Sequence, residues 1–104
     1  NNLASSRDTL DLYFNKIYRE VADNKKDKIF INLKNFNSFN QEIKMRIIKQ
    51  SITNITKAYY APRSKKILNL IDQLKVKKNV KLTLGGCFVL KEKNHIILRK
   101  EKKN

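Results

Sequence analysis

The chain has only two glycines, Gly85 and Gly86, and this adjacent pair separates strand-like runs. Before the pair, residues 80–84 alternate between apolar and polar side chains, which is typical of a strand. After it, residues 87–90 and 96–98 are short apolar runs that also predict strands. Because glycine accepts φ values that are closed to other residues, the pair predicts a tight reversal or bulge at this point. The C-terminal part of the chain is therefore predicted to form a small sheet.

Two further features extend this sheet. Lys93 and Asn94 predict a second reversal, since asparagine tolerates the left-handed conformation. Residues 29–33 predict one more strand, mostly buried because its apolar residues follow one another, and we expect it to join the same sheet. A polar connector precedes this strand. An asparagine-rich loop follows it, and Phe36 and Phe39 are expected to pin that loop to the core.

The remaining apolar residues follow helical spacing and predict amphipathic helices. The predicted helices are residues 3–23, 40–59 and 63–74. Ser38, followed three residues later by Gln41, predicts a capping box for the second helix. Pro62 suits the first turn of the third helix, where its missing N–H would have no partner anyway. The predicted fold class is α+β, with three amphipathic helices packed on a small sheet in the order α-β-α-α-β-β-β, as one domain over residues 1–104.

The charge balance indicates the chemistry of a partner. The chain has 24 basic and 9 acidic residues, a net charge of +15, which favours a polyanion as ligand. A compositional explanation stays open, because 19 of the 24 cations are lysine and the chain is also rich in asparagine and isoleucine, as A/T-rich coding would produce. That explanation does not account for the small number of acidic residues.

Several classes of site are disfavoured. Cys87 and His95 are each the only residue of their kind, so neither an internal disulfide nor a zinc cluster is expected, and a reducing cytoplasm fits best. No apolar run approaches the ~20 residues that span a bilayer. A glycine-rich phosphate loop is absent from the sequence. The chain starts with Asn1 rather than methionine, which leads us to expect an excised domain.

The basic residues of the last two predicted helices are the candidate ligands for phosphate. On the second helix, Arg46, Lys49 and Lys57 lie on the face opposite the isoleucines. The first turn of the third helix contains Arg63, Lys65 and Lys66, where the positive end of the helix dipole would add to their attraction for an anion. The two arginines are the sharper candidates, because the planar guanidinium suits phosphate.

Other residues have two interpretations each. His95 is either the general base of a small ribonuclease or an exposed turn residue without a partner. Cys87 is expected to fill space in the core. Tyr59 and Tyr60 either stack on an unpaired base or, for Tyr59 above all, pack in the core.

Three segments together resemble a known family. They are FNQEIKMRIIKQSI (39–52), YYAPRSKKILNLI (59–71) and KLTLGGCFVLKEKNHIILRKE (81–101). With the helix and strand before them, they are similar to the second domain of bacterial tRNA(Ile)-lysidine synthetases, over about residues 2–101. These ATP-dependent enzymes attach lysine to the wobble cytidine of a minor isoleucine tRNA.

The resemblance implies that catalysis and tRNA binding belong to different domains of the enzyme. In the family, an N-terminal ATP-pyrophosphatase domain with the motif Ser-Gly-Gly-x-Asp-Ser activates the cytidine and transfers lysine, and that motif is absent here. The matched region helps to hold the tRNA. The resemblance thus implies a tRNA-binding domain without catalysis or a cofactor of its own, whose partners are the isoleucine tRNA and its own ATP-using N-terminal domain. It implies that Arg46 and Arg63 lie near RNA and that the glycine pair is structural. The alternative is an independent basic DNA- or RNA-binding module.

Overall fold

The computed structural model describes the main chain of residues 2–57 and 62–101, and the side chains of residues 12–57 and 62–101. The elements in chain order are α1 (Asn2–Val21), β1 (Ala22–Lys25), β2 (Lys28–Asn32), α2 (Leu33–Asn37), α3 (Gln41–Thr56), α4 (Ser64–Val76), β3 (Val80–Leu84), β4 (Cys87–Lys91) and β5 (His95–Lys100). None of the helices in these ranges is long and apolar enough to cross a membrane.

The strands form one five-stranded antiparallel sheet in the order β1-β2-β5-β4-β3. β5, the last strand of the chain, lies between β2 and β4 and pairs with both. It therefore joins the N-terminal hairpin to the C-terminal one. The α+β class and the membership of the strand near residue 30 in the sheet are confirmed.

The helices pack on one face of this sheet. Ile29, Ile96, Leu98 and Val89 point into a core that includes residues of all the helices, such as Phe36 of α2, and each is at most 2% exposed. Strand alternation places the neighbouring residues on the opposite face. Ile97 is buried but lies outside that core, as the alternation requires.

The structure adds two elements that the sequence did not predict. β1 replaces the end of the predicted first helix and part of the polar connector; only Ala22 in it is buried, so its residues carry no apolar alternation. Its strand geometry comes from pairing with β2. α2 replaces part of the predicted loop. Asn32 caps it by accepting a hydrogen bond from the Asn35 N–H at 3.0 Å, and its one fully enclosed side chain is Phe36.

The predicted capping box at Ser38 is wrong. Asn40 caps α3, because its Oδ1 accepts the N–H of Ile43 at 2.9 Å. Ser38 instead ends α2, where its hydroxyl donates to the carbonyl of Asn35 at 2.6 Å. Both residues suit a helix end, and the position of the short α2 decides between them.

Two other local predictions need correction. Pro62 precedes Arg63, the N-cap of α4, and so lies just before the first turn.

The reversal at Lys93 and Asn94 is confirmed by the β4–β5 pairing. Asn94, however, is not left-handed, since the non-glycine residues with positive φ in the described ranges are Lys26 and Lys57. Tyr59 and Tyr60 lie outside the described residues.

A buried polar network joins α1 to α3. The Ser51 hydroxyl donates to the carbonyl of Ile47 at 2.8 Å, so its oxygen accepts from the Tyr18 hydroxyl at 3.0 Å. Asn54 donates to the same Tyr18 oxygen at 3.2 Å. Burial raises the pKa of Tyr18, while its hydrogen bonds to Ser51 and then Asn54 oppose that rise. Each polar atom of this network has a partner, which keeps the cost of burying it low.

Lys91 binds the backbone carbonyls at the C-terminal end of α4. Its Nζ lies 2.6 Å from the carbonyl oxygens of Leu74 and Lys77, which the helix leaves without intrahelical partners. A cation at this end also complements the negative pole of the helix. This lysine is therefore a structural residue that ties β4 to α4.

The glycine pair forms the predicted reversal between β3 and β4, with φ of 60° at Gly85 and 87° at Gly86. The turn is pressed against its neighbours. A Cβ at Gly85 would lie 2.6 Å from Cγ of Pro62 and 3.1 Å from Cγ2 of Ile52, whereas one at Gly86 would lie 3.4 Å from Cγ2 of Thr56. The structural role of the glycines follows from these distances.

Alanine substitutions should show which of the two glycines matters more for stability. Both have a φ that costs a non-glycine residue roughly 1–2 kcal/mol, but only the Cβ of Gly85→Ala meets another atom within 3.0 Å. We expect Gly85→Ala to lower the free energy of unfolding by more than Gly86→Ala does, as measured by urea denaturation. Equal losses would show that backbone strain alone matters and that Pro62 yields.

Cys87 offers a second test, because it is fully buried and burial raises the pKa of its thiol to about 11. We expect a thiol reagent at pH 8 to label the folded protein far more slowly than the denatured one, since both the thiolate and access are lacking. The stability that the protonated thiol contributes is complete below its ordinary pKa of 9.0 and declines as the pH rises towards about 11. The variant Cys87→Ala should lack that part of the alkaline decline; an identical pH profile would contradict the assignment.

Candidate nucleic-acid interface

The cationic face of α3 is partly used inside the molecule. The guanidinium of the half-buried Arg46 lies over the ring of Phe14, with Cζ 4.4 Å from the ring centroid. This contact joins α1 to α3, as does the Tyr18 network. Lys49 is half-buried on the same helix. Arg46 thus has a structural role that sequence spacing did not indicate, because its partner lies on a different element.

Lys44 is a buried cation that the sequence analysis missed. It is 6% exposed, and its Nζ lies 5.7 Å from the ring centroid of Phe36. Burial, and then repulsion from Lys75, lowers the pKa of its amine. Its position covers the aromatic ring of α2 and leaves it poorly placed for a ligand.

Four of the six predicted cations are at one end of the molecule. Lys57 ends α3 in the left-handed conformation with φ of 60°, and Arg63, Lys65 and Lys66 begin α4. The Gly85–Gly86 turn is the common contact of both helix ends, since Gly85 packs against Ile52 and Pro62 while Gly86 packs against Thr56. We call this region the glycine end; it comprises residues 56–57, 62–66, 83–86 and 100–101.

The end of β5 completes the glycine end. Strand pairing sets Lys100 opposite Cys87, and the N–H of Glu101 donates to the carbonyl of Gly86 at 3.0 Å. Lys100 was not among the predicted candidates. The sequence did indicate this position for Lys100. β5 runs antiparallel to β4, so the end of β5 must lie beside the start of β4, at the glycine turn.

The charges of the glycine end are largely uncompensated. Lys57, Arg63, Lys65 and Lys66 are all exposed. Within the described ranges none of them forms an ion pair. The first turn of α4 contains no acidic residue, and the N-cap Arg63 makes no side-chain hydrogen bond to the helix amides. Since such amides attract anions, this helix start adds to the positive potential of the lysines and the arginine.

An open groove runs from the glycine end between α4 and β3. Its volume is about 400 Å³, and Lys66, Asn69, Gln73 and Glu101 are among the polar residues that line it. Thr83 and the glycine turn form its opposite wall. The groove offers amide donors and acceptors beside the cations, and Glu101 is the carboxylate that a bound anion would have to avoid.

The remaining candidates give no catalytic site. His95 is exposed, its ring is edge-on to Phe30 at 6.3 Å between centroids, and its imidazole forms no hydrogen bond within the described ranges. The ribonuclease hypothesis therefore receives no support from its surroundings. No group of three or more His, Cys, Asp or Glu in the searched, described residues could hold a metal ion.

Comparisons with known proteins found no match for this chain among protein-family models, curated sequences or solved structures. The arguments on its function therefore rest on its own residues and on the resemblance stated above.

Arg46 and Arg63 can be separated by experiment. We expect Arg46→Gln to lower the free energy of unfolding by roughly 0.5–2 kcal/mol, since it removes the cation from the Phe14 ring. Arg63→Gln should leave stability within about 0.5 kcal/mol, because its exposed side chain makes no cap. Thermal denaturation of both variants measures the difference, and equal stabilities would argue against a structural role for the Arg46 contact.

Proposed function

We propose that this chain is an RNA-binding domain that holds tRNA, and that it serves as the tRNA-binding domain of a tRNA(Ile)-lysidine synthetase in the cytoplasm. The resemblance of residues 39–52, 59–71 and 81–101 to that family supports the choice of tRNA. In this proposal the ATP-dependent attachment of lysine belongs to another domain of the enzyme, and this chain positions the substrate.

The observation that carries the proposal is the gathering of exposed cations at the glycine end. Lys57 and the cluster of Arg63, Lys65 and Lys66 come from two helices, and the packing of Gly85 against Pro62 and Ile52 fixes both helix ends to one turn. A rigid group of cations without described acidic partners suits a row of phosphates. Arg63 adds a planar donor fork to the lysine charges.

The geometry favours recognition of shape over base sequence. The glycine end is formed by helix ends and a turn, so it presents no long element to enter a groove. The deep major groove of an RNA duplex is closed to side chains, and duplex stems are recognised through phosphates and 2′-hydroxyls. We therefore expect the glycine end to bind the backbone of a tRNA stem.

Salt dependence tests the electrostatic part. If about five phosphates are neutralised, the logarithm of the tRNA association constant should fall with the logarithm of salt concentration at a slope of roughly −3.5 to −4.5. The triple variant Lys57→Gln, Arg63→Gln, Lys66→Gln should weaken binding and make that slope shallower by roughly 2 to 3. Fluorescence anisotropy titrations at several salt concentrations measure both quantities.

A matched control separates position from net charge. The triple variant Lys75→Gln, Lys77→Gln, Lys78→Gln removes the same charge at the other end of α4, ~18 Å away. It should leave the slope nearly unchanged. Equal weakening by the two triple variants would contradict a localised site and favour the compositional origin of the charge.

Competition tests the identity of the ligand. We expect the minor isoleucine tRNA to displace a labelled tRNA probe at lower concentration than duplex DNA of similar length, because an A-form backbone with 2′-hydroxyls differs from B-form DNA. Competition by DNA on equal terms would overturn the tRNA proposal and favour an independent basic module.

A further inference from the structure

The face of the sheet opposite the helices has its own pattern of side chains, and we call it the open face. Strand register places Phe30 of β2, Ile97 of β5 and Leu90 of β4 in one row across the sheet. A second row contains Arg99 of β5 and Phe88 of β4. These residues alternate with the buried residues of the core, so they lie on the side away from the helices.

The first row is an apolar strip. Ile97 in its centre is only 7% exposed although it lies outside the main core, while Phe30 and Leu90 on either side are half-buried. Phe88 in the second row is also half-buried. The open face therefore presents two aromatic rings on a rigid sheet. Phe30 and Phe88 are separated by two strand spacings and a two-residue offset, ~12 Å, so the two rings are far enough apart to contact different groups.

Cations surround these rings. Cζ of Arg99 lies 5.3 Å from the centroid of the Phe88 ring, and Nζ of Lys25 lies 5.5 Å from that of Phe30. Register adds Lys28 opposite Arg99 and Lys81 opposite Leu90. Such contacts hold the long side chains against the rings and leave their charge at the surface.

Acidic residues are few on this face. Within the strands, Asp23 is the one carboxylate on it, and its Oδ2 lies 3.8 Å from Nζ of Lys25. Phe30 itself lines a recess whose charged and titratable residues are Glu20, Asp23 and Glu92 together with Arg19, Lys25 and His95, so the charge beside this ring is mixed. The central and β3 sides of the face are positive. An anionic partner is therefore complementary to these sides of the face. An apolar strip alone would not favour one kind of partner over another.

Arg99 is an independent indication that the open face binds a ligand. Its Nε is buried and has no hydrogen-bond partner within the described ranges. A buried donor without a partner is uncommon, and it favours a rearrangement of this side chain that brings Nε to the surface, where a phosphate oxygen can accept it. This donor lies in the middle strand of the face, beside the half-buried ring of Phe88.

We propose that the open face binds an unpaired stretch of RNA, with bases stacked on Phe30 and Phe88 and phosphates held by Lys28, Lys81 and Arg99. Stacking on aromatic side chains between cations is how proteins bind single strands without requiring a particular sequence. The inference rests on RNA being the ligand, as proposed above, but it concerns a different surface and a different part of the RNA. The glycine end takes a duplex backbone, and the open face takes unpaired nucleotides.

Tryptophan fluorescence tests stacking directly, because the chain has no tryptophan. In Phe30→Trp and Phe88→Trp, we expect a labelled single-stranded RNA of about a dozen nucleotides to quench the emission of the new indole. Tyr13→Trp, at an exposed aromatic on α1, is the matched control and should not be quenched. Quenching at Tyr13→Trp alone, or at none of these positions under saturating RNA, would overturn the proposal.

Affinity supplies the second measurement. The double variant Phe30→Leu, Phe88→Leu keeps the apolar character but removes the rings, and it should weaken binding of the single-stranded probe by at least about fivefold per ring. Tyr13→Leu should not weaken it, and Phe30→Tyr, Phe88→Tyr should restore it. The melting temperature of each variant shows whether the fold is kept; for a variant that does not fold, the quenching result decides.

The outcomes distinguish this inference from the proposed function. If the double leucine variant binds the single strand normally while the glycine-end triple variant loses duplex RNA, the open-face proposal fails and the tRNA proposal stands. If the unmodified chain binds neither RNA, both fail. If the chain self-associates and the leucine variant abolishes that association without affecting RNA binding, the open face is an interface between copies, which also overturns the inference.

Discussion

The pairing of β5 between β2 and β4 is the interaction on which the rest of the structure depends. The chain makes its two hairpins from segments far apart in sequence, and β5 is the strand that joins them. Its side chains serve both faces, since Ile96 and Leu98 enter the helix-covered core while Ile97 and Arg99 lie on the open face. Its end fixes the glycine turn through the hydrogen bond from Glu101 to Gly86. Because both candidate surfaces include residues at or after the end of β5 and on β5 itself, its pairing with β2 and β4 determines whether either surface exists.

Part of the positive charge of the chain has a structural role. Lys91 holds the C-terminal carbonyls of α4, Lys44 covers Phe36 from a buried position, and Arg46 joins α1 to α3 over a phenylalanine ring. These cations stabilise the fold, so a net charge cannot be converted directly into ligand contacts. The cations without such roles are the relevant ones. Some of them lie at the glycine end and on the open face beside few carboxylates, while others, such as Lys75, Lys77 and Lys78, are exposed elsewhere on the molecule.

The sequence predicted the features that depend on local pattern and missed those that depend on distant partners. The glycine reversal, the burial of Cys87 and the α+β class followed from spacing and from the properties of glycine. β1 could not be predicted, because its polar residues become a strand only by pairing with β2. The proximity of Lys57 to the start of α4 likewise needed the packing of Gly85 and Gly86 against both helix ends. The open face is different. Residues 29–31 and 96–98 are uninterrupted apolar runs, so no alternation with polar residues marked the side that faces away from the helices, and residues 29–33 were interpreted as mostly buried.

The two candidate surfaces share strands β4 and β5, so a single ligand would be able to contact both. β4 begins at the glycine turn and carries Phe88 on its second residue, while β5 carries Arg99 one residue before Lys100 at the glycine end. A group bound at the turn is therefore held only a few ångströms along β4 from the ring of Phe88. In the proposed complex, docking of a duplex backbone at the glycine end would bring the adjoining unpaired nucleotides to the open face at high effective concentration, so modest stacking there would add substantially to the total affinity. A tRNA contains both kinds of structure side by side, which a uniform DNA duplex does not, and discrimination between them would then come from the sheet rather than from the excess of positive charge.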